Sequence, residues 1–197
     1  MLPLEDVQAV AASHARLKQT VARLTDVSAA SALPDWSVGH VLAHLARNAD
    51  SIVYRLEAMS RGQLVPQYEG GAAGRAADIA RGAARPAAEI VDDLVAACDR
   101  LDAFFLELPE QVWGTEVLAG IGTKKVPATR LALARWREVE IHHVDLGLSY
   151  TPAQWPVALV ERVLPDVLHD LPTRTDPARL LAWATGRGAA PALDSWS

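Results

Sequence analysis

The chain has 197 residues, 50% of them hydrophobic, and a formal net charge of -5, enough for one well-filled core with a small appendage. The acidic balance argues against attachment to nucleic acid or to an anionic membrane surface, both of which call for a concentrated basic face. A single cysteine, Cys98, leaves no intramolecular disulfide and no cysteine cluster, so a bound metal would have to be held by histidines and carboxylates.

Alanine and leucine dominate while β-branched and aromatic residues are sparse, which favours an all-α fold. The opening segment MLPLEDVQAV lacks a basic stretch followed by an apolar run. No segment approaches the roughly 18 apolar residues that span a bilayer. The expectation is a cytoplasmic monomer or homodimer whose partners are small molecules.

In chain order, Val7, Val10, Leu17, Val21 and Leu24 recur at helical spacing and predict a first helix within residues 4–30. A second, capped by Asp35 or Ser37, carries the apolar stripe Val38, Val41, Leu42, Leu45, Ile52 and Leu56. Residues 61–85 hold five glycines and a proline and read as a long connection with a short helix near Arg75 to Gly82. Pro86 begins a third bundle helix with Ile90, Leu94, Leu101 and Phe104 on its inner face, ended by Pro109. The glycine-rich stretch from Trp113 to Pro127 is either a hairpin or an irregular excursion. A fourth long helix runs from Ala128 to Leu148 and stops near Gly147. Beyond Pro152, two shorter helices are predicted at 156–171 and 177–186. The organisation is therefore a four-helix bundle over residues 1–152 and a short annex over 153–197.

Chemistry concentrates on the fourth bundle helix. Four residues turn a helix by about 400°, so Glu138 and His142 project from nearly one angular position, about 6 Å apart along the axis. Leu131, Ala134 and Ile141 flank their stripe, which places the pair toward the bundle interior. A buried carboxylate needs a partner or a metal. The second helix offers His40 and His44 at the same spacing, with Asn48 one turn further, so an imidazole from this helix could complete a site in the bundle core. Two histidines and one carboxylate leave coordination positions open, as a catalytic Zn²⁺ requires. Asp145 can accept the remaining imidazole N–H of His142. By helical angle Glu140 points to solvent, His143 packs or hydrogen-bonds, and His40 orients the site from behind its ligands. Cys98 reads as a small core residue. Trp36, Trp113, Trp136, Trp155, Trp183 and Trp196 are scattered, as anchors and pocket walls would be.

The segments WSVGHVLAHLARNAD and RWREVEIHHVDLGL together resemble the mycothiol-dependent maleylpyruvate isomerase family, within the wider DinB-like metal-binding bundles. The resemblance spans about residues 5 to 150. It implies a DinB-like four-helix bundle in which His44, Glu138 and His142 hold Zn²⁺ or another divalent metal, with the small-molecule thiol mycothiol as second cofactor. It further implies that YEGGAAGRAADIARGAAR is the family's loop and short helix, placing Tyr68, Arg75 and Arg81 at the cofactor. Arg75 is the first choice among its arginines, ahead of Arg81 and Arg85. The late segment LLAWATGRG resembles the end of the family's C-terminal domain, and Arg187 matches an arginine that approaches the active site there. The intervening segment is short for the family's C-terminal α/β domain. The implied activity is cis–trans isomerisation by thiolate addition, bond rotation and elimination, with Arg75 and Arg187 holding carboxylates or the developing oxyanion. A mycothiol S-transferase acting on an electrophile is the second reading, and a metal-containing binding module without turnover the third.

Overall fold

The computed structural model describes residues 1–194; Trp196 lies outside them. The chain divides into two compact units, Met1–Gln154 and Trp155–Ser197.

In the first unit, helix α1 spans Leu4–Val21, with Glu5 and Asp6 in its first turn, where carboxylates complement the helix dipole. It is shorter than the expected 4–30. Asp26 Oδ1 accepts from the Ser28 backbone N–H at 2.9 Å, and such a local turn competes with helix continuation. Helix α2 spans Val38–Ser60. Of the two candidate caps it uses Ser37: the hydroxyl oxygen accepts from the His40 N–H at 3.4 Å, and His40 Nδ1 accepts from the Ser37 N–H at 3.2 Å. His40 thus serves as the reciprocal member of a capping box, in place of the expected role of orienting a metal ligand. Ser37→Ala is expected to cost about 1 kcal/mol, read as a lower urea midpoint with an unchanged slope.

Helix α3, Gly71–Ala83, packs on α2 and begins four residues earlier than expected. A tight turn delivers it. Gly71 N–H donates to the Tyr68 carbonyl at 3.1 Å, and a Cβ on Gly74 would lie 2.0 Å from the Glu69 carbonyl oxygen, so only glycine fits there. Helix α4, Ala87–Glu107, starts immediately after Pro86. Beyond it come the single-turn helix α5, Glu110–Trp113, and a hairpin of strands β1, Glu116–Leu118, and β2, Lys125–Pro127. The stretch left open by its glycines is therefore a hairpin. Arg55 of α2 ties it to the bundle through the Leu118 carbonyl, 2.9 Å away.

Helix α6, Arg130–Asp145, ends before Gly147, whose φ of 68° is the left-handed conformation glycine supplies cheaply. The bundle consists of α1, α2, α4 and α6, with α2 packed on α4 and α6, and α1 on the same two helices. Leu17, Leu42, Leu45, Ile52, Ile90, Leu94, Leu101 and Phe105 fill its core. In the second unit, α7 spans Val157–Asp170 and α8 Pro177–Ala184. Among the described residues no helix is long and apolar enough to cross a membrane.

Candidate metal centre

His44 from α2 and Glu138 and His142 from α6 converge, each offering one ligand atom, with all three atoms within 4.8 Å of one another. His44 Nε2 is 3.1 Å from Glu138 Oε2, and His142 Nε2 is 3.5 Å from the same oxygen. Ligands about 2.1 Å from a tetrahedral ion stand about 3.4 Å apart, so the donor set fits a divalent metal such as Zn²⁺ in both chemistry and size. His142 Nδ1 is 2.8 Å from Asp145 Oδ2, the partner expected for a ligand imidazole.

The pair sits on the flank of α6 rather than on its innermost face. Leu131, Ala132, Arg135, Trp136, Val139, Glu140 and His143 are the buried positions, whereas Ala134, Glu138, Ile141 and His142 are half-buried. A flank is where an open coordination position can be reached from outside. His44 itself is buried.

The wall of the site comes from two connections. The α1–α2 loop places Trp36 against His44, ring centres 5.8 Å apart. It is held by the Ser31 N–H on the Trp36 carbonyl at 2.9 Å and the Ala32 N–H on the Asp145 carbonyl at 2.8 Å. Asp35 takes a φ of 62° in that loop, which aspartate tolerates better than most residues. The α2–α3 turn supplies Tyr68, which is buried, and α3 just beyond it supplies Arg75. The Arg75 guanidinium carbon lies 6.0 Å from the Trp36 ring centre and 5.9 Å from that of Tyr68, and Nη2 reaches His44 Nδ1 at 3.1 Å.

The other candidates make other contacts. Arg81 is exposed and pairs with Asp78, while Arg85 pairs with Asp93. Arg187 belongs to the second unit, where it donates to the Thr185 carbonyl. Glu140, expected in solvent, is buried and accepts from Ser13, Arg16 and Tyr150. His143 packs and hydrogen-bonds as expected, stacked on Tyr150 at 3.9 Å and 2.8 Å from Thr20 Oγ1. Cys98 is fully buried, as a core residue should be. Trp36 is a pocket wall, as its scattered placement suggested, whereas Arg135 had no assigned role. Arg135 lies four residues from Leu131 and Val139, and that placement on an apolar stripe was the available sign of its burial.

Electrostatics favour a charged centre. Burial opposes the Glu138 carboxylate, but hydrogen bonds from His142 and then His44 outweigh it and hold the group well below its ordinary range. Burial also opposes a charged His142, yet Asp145 and Glu138 raise its pKa to about 9. His44 is lowered to about 4, chiefly by burial.

The fold is similar to the crystal structure of the mycothiol-dependent maleylpyruvate isomerase, with 25% identity over 85% of this chain and 70% of that one and a TM-score of 0.79. A mutant of that isomerase matches with the same TM-score and coverage at 24% identity. No curated protein matches the chain. The family pattern described as the mycothiol maleylpyruvate isomerase N-terminal domain matches residues 10–147, which takes in all of His44, Arg75, Glu138 and His142; the chain belongs to that family.

Proposed function

We propose that the protein is a metal- and mycothiol-dependent cytoplasmic enzyme acting on a small anionic or electrophilic substrate, with maleylpyruvate-type cis–trans isomerisation as the first reaction. The observation that carries this reading is the His44, Glu138 and His142 donor set, three ligands on the flank of the bundle with coordination positions to spare. A divalent metal such as Zn²⁺ would supply the acidity that keeps a small thiol ionised near neutral pH.

The chain's own groups fit that chemistry. Asp145 fixes His142 with its Nδ1 proton turned away from the site, leaving Nε2 for a metal. Glu138 brings one negative charge to offset a dication. Arg75, held between Trp36 and Tyr68 and 3.1 Å from His44 Nδ1, offers a guanidinium for a substrate carboxylate or for polar groups of the thiol. Arg81 is proposed as an outer contact of the thiol.

The test is turnover of maleylpyruvate by Zn²⁺-loaded protein with and without mycothiol. Thiol-dependent formation of the trans product is expected; turnover at equal rate without thiol would overturn the reading. An S-transferase is the second reading, since the same donor set on the flank of the bundle would present an ionised thiol to any electrophile that reaches it. It predicts loss of free thiol with a model electrophile in place of isomerisation.

A further inference from the structure

His44 makes two hydrogen bonds that together decide where its proton sits. Arg75 Nη2 is 3.1 Å from Nδ1, and Glu138 Oε2 is 3.1 Å from Nε2. A guanidinium has donors and no acceptor, so Nδ1 must turn its lone pair toward Arg75. A neutral imidazole carries one proton, which therefore lies on Nε2 and is donated to Glu138. The nitrogen that faces the other two ligands is thus the protonated one. His142 is arranged in the opposite sense, because Asp145 accepts from its Nδ1 and Nε2 can be freed for a ligand bond.

A metal at Nε2 needs that lone pair, and the ring then carries its proton on Nδ1, N–H against N–H with Arg75. The two donors cannot share the contact. We propose that Arg75 is a metal-responsive residue: its bond to Nδ1 holds His44 in the non-ligating tautomer, and filling the metal site breaks that bond and frees the guanidinium for an anionic ligand. The exchange conserves protons on His44, since the Nε2 proton leaves to solvent as Nδ1 takes one up, and the ring stays neutral. Trp36 and Tyr68 keep the freed cation at the mouth of the site, with its centre near 6 Å from each ring. Metal loading thereby returns to Arg75 the one of its five N–H donors that His44 holds.

This inference rests on the reading of the triad as a metal centre, and two measurements on the full chain separate them. Zn²⁺ affinity by chelator competition is expected to be at least about tenfold tighter in Arg75→Met than in the wild type, because the variant has no charge-assisted bond to break. Long-range ¹H–¹⁵N spectra of the imidazoles are expected to show His44 protonated on Nε2 without metal and on Nδ1 with Zn²⁺. Equal or weaker Zn²⁺ binding by Arg75→Met, or a metal-free His44 protonated on Nδ1, would overturn the role of Arg75 and leave the metal centre standing. A wild-type protein that takes up no Zn²⁺ would overturn the centre itself. The spectra of the wild type need no variant, so a poorly folding Arg75→Met does not shield the proposal.

Discussion

Glu138→Ala and His142→Ala are each expected to abolish near-stoichiometric Zn²⁺ binding, with losses beyond the roughly 10–100-fold that follows removal of a group that merely orients a ligand. Asp145→Ala, which removes only the acceptor for His142 Nδ1 at 2.8 Å, falls within that smaller range. The order of the three variants is the informative result. Equal retention of metal in all of them would mean that the ion sits elsewhere. Affinity should also depend on pH in a defined way. In the metal-free centre Glu138 is ionised, His44 is neutral, and His142, raised to about 9, is protonated. Uptake at neutral pH therefore displaces one proton, from His142 Nε2. Apparent affinity should rise about tenfold per pH unit through neutrality and level off above about pH 9. Calorimetry in buffers of different ionisation enthalpy counts that proton directly.

The His44, Glu138 and His142 site was legible because its logic is local on each helix. One turn separates Glu138 from His142, and another separates His142 from the reach of Asp145, so spacing alone brought these groups together. Choosing His44 over His40 needed the family resemblance, and the structure gives the physical reason: His40 sits one turn earlier, where it closes the capping box with Ser37.

The inner face of α6 was not legible in the same way. Periodicity read from apolar side chains places Glu138 inward and Glu140 in solvent, whereas the helix buries Arg135, Glu140 and His143. Each is satisfied by residues far away in the chain: Glu140 by Ser13 and Arg16, His143 by Thr20, Arg135 by His14 and Asn48. A polar residue with a distant partner looks solvent-facing until the partner is known. The same holds for Trp36, whose place beside His44 depends on a loop tied to the end of α6.

Arg135 marks the structural centre of this hidden network, and its removal is expected to have the largest effect on stability. Its guanidinium is fully buried and donates to His14 Nε2 at 3.0 Å, the Leu45 carbonyl at 2.8 Å and Asn48 Oδ1 at 2.9 Å, with Cys98 Sγ at 3.6 Å. One side chain thereby joins α1, α2, α4 and α6. Arg135→Met keeps most of the volume but strands those acceptors in the core, at a cost of about 3 kcal/mol. For a chain of this size that lowers the melting temperature by roughly 6–12 °C. Arg135→Lys should not restore it, because an ammonium on a flexible stem cannot meet three acceptors in the directions of a planar fork. Unchanged melting in Arg135→Met would show that the network adds no net stability. The network also carries a pH signature. His14 is lowered from 6.5 to about 4, first by burial, against a hydrogen bond to Asp102, and further by the Arg135 charge. The unfolded chain therefore takes up this proton first on acidification. The stability contributed by neutral His14 is complete above about pH 6.5 and is lost as pH falls toward about 4. Without the Arg135 charge that slope should shrink but persist, since burial is the greater cause. Urea midpoints of wild type and Arg135→Met between these pH values measure the difference, and an identical slope in both would remove Arg135 from the environment of His14.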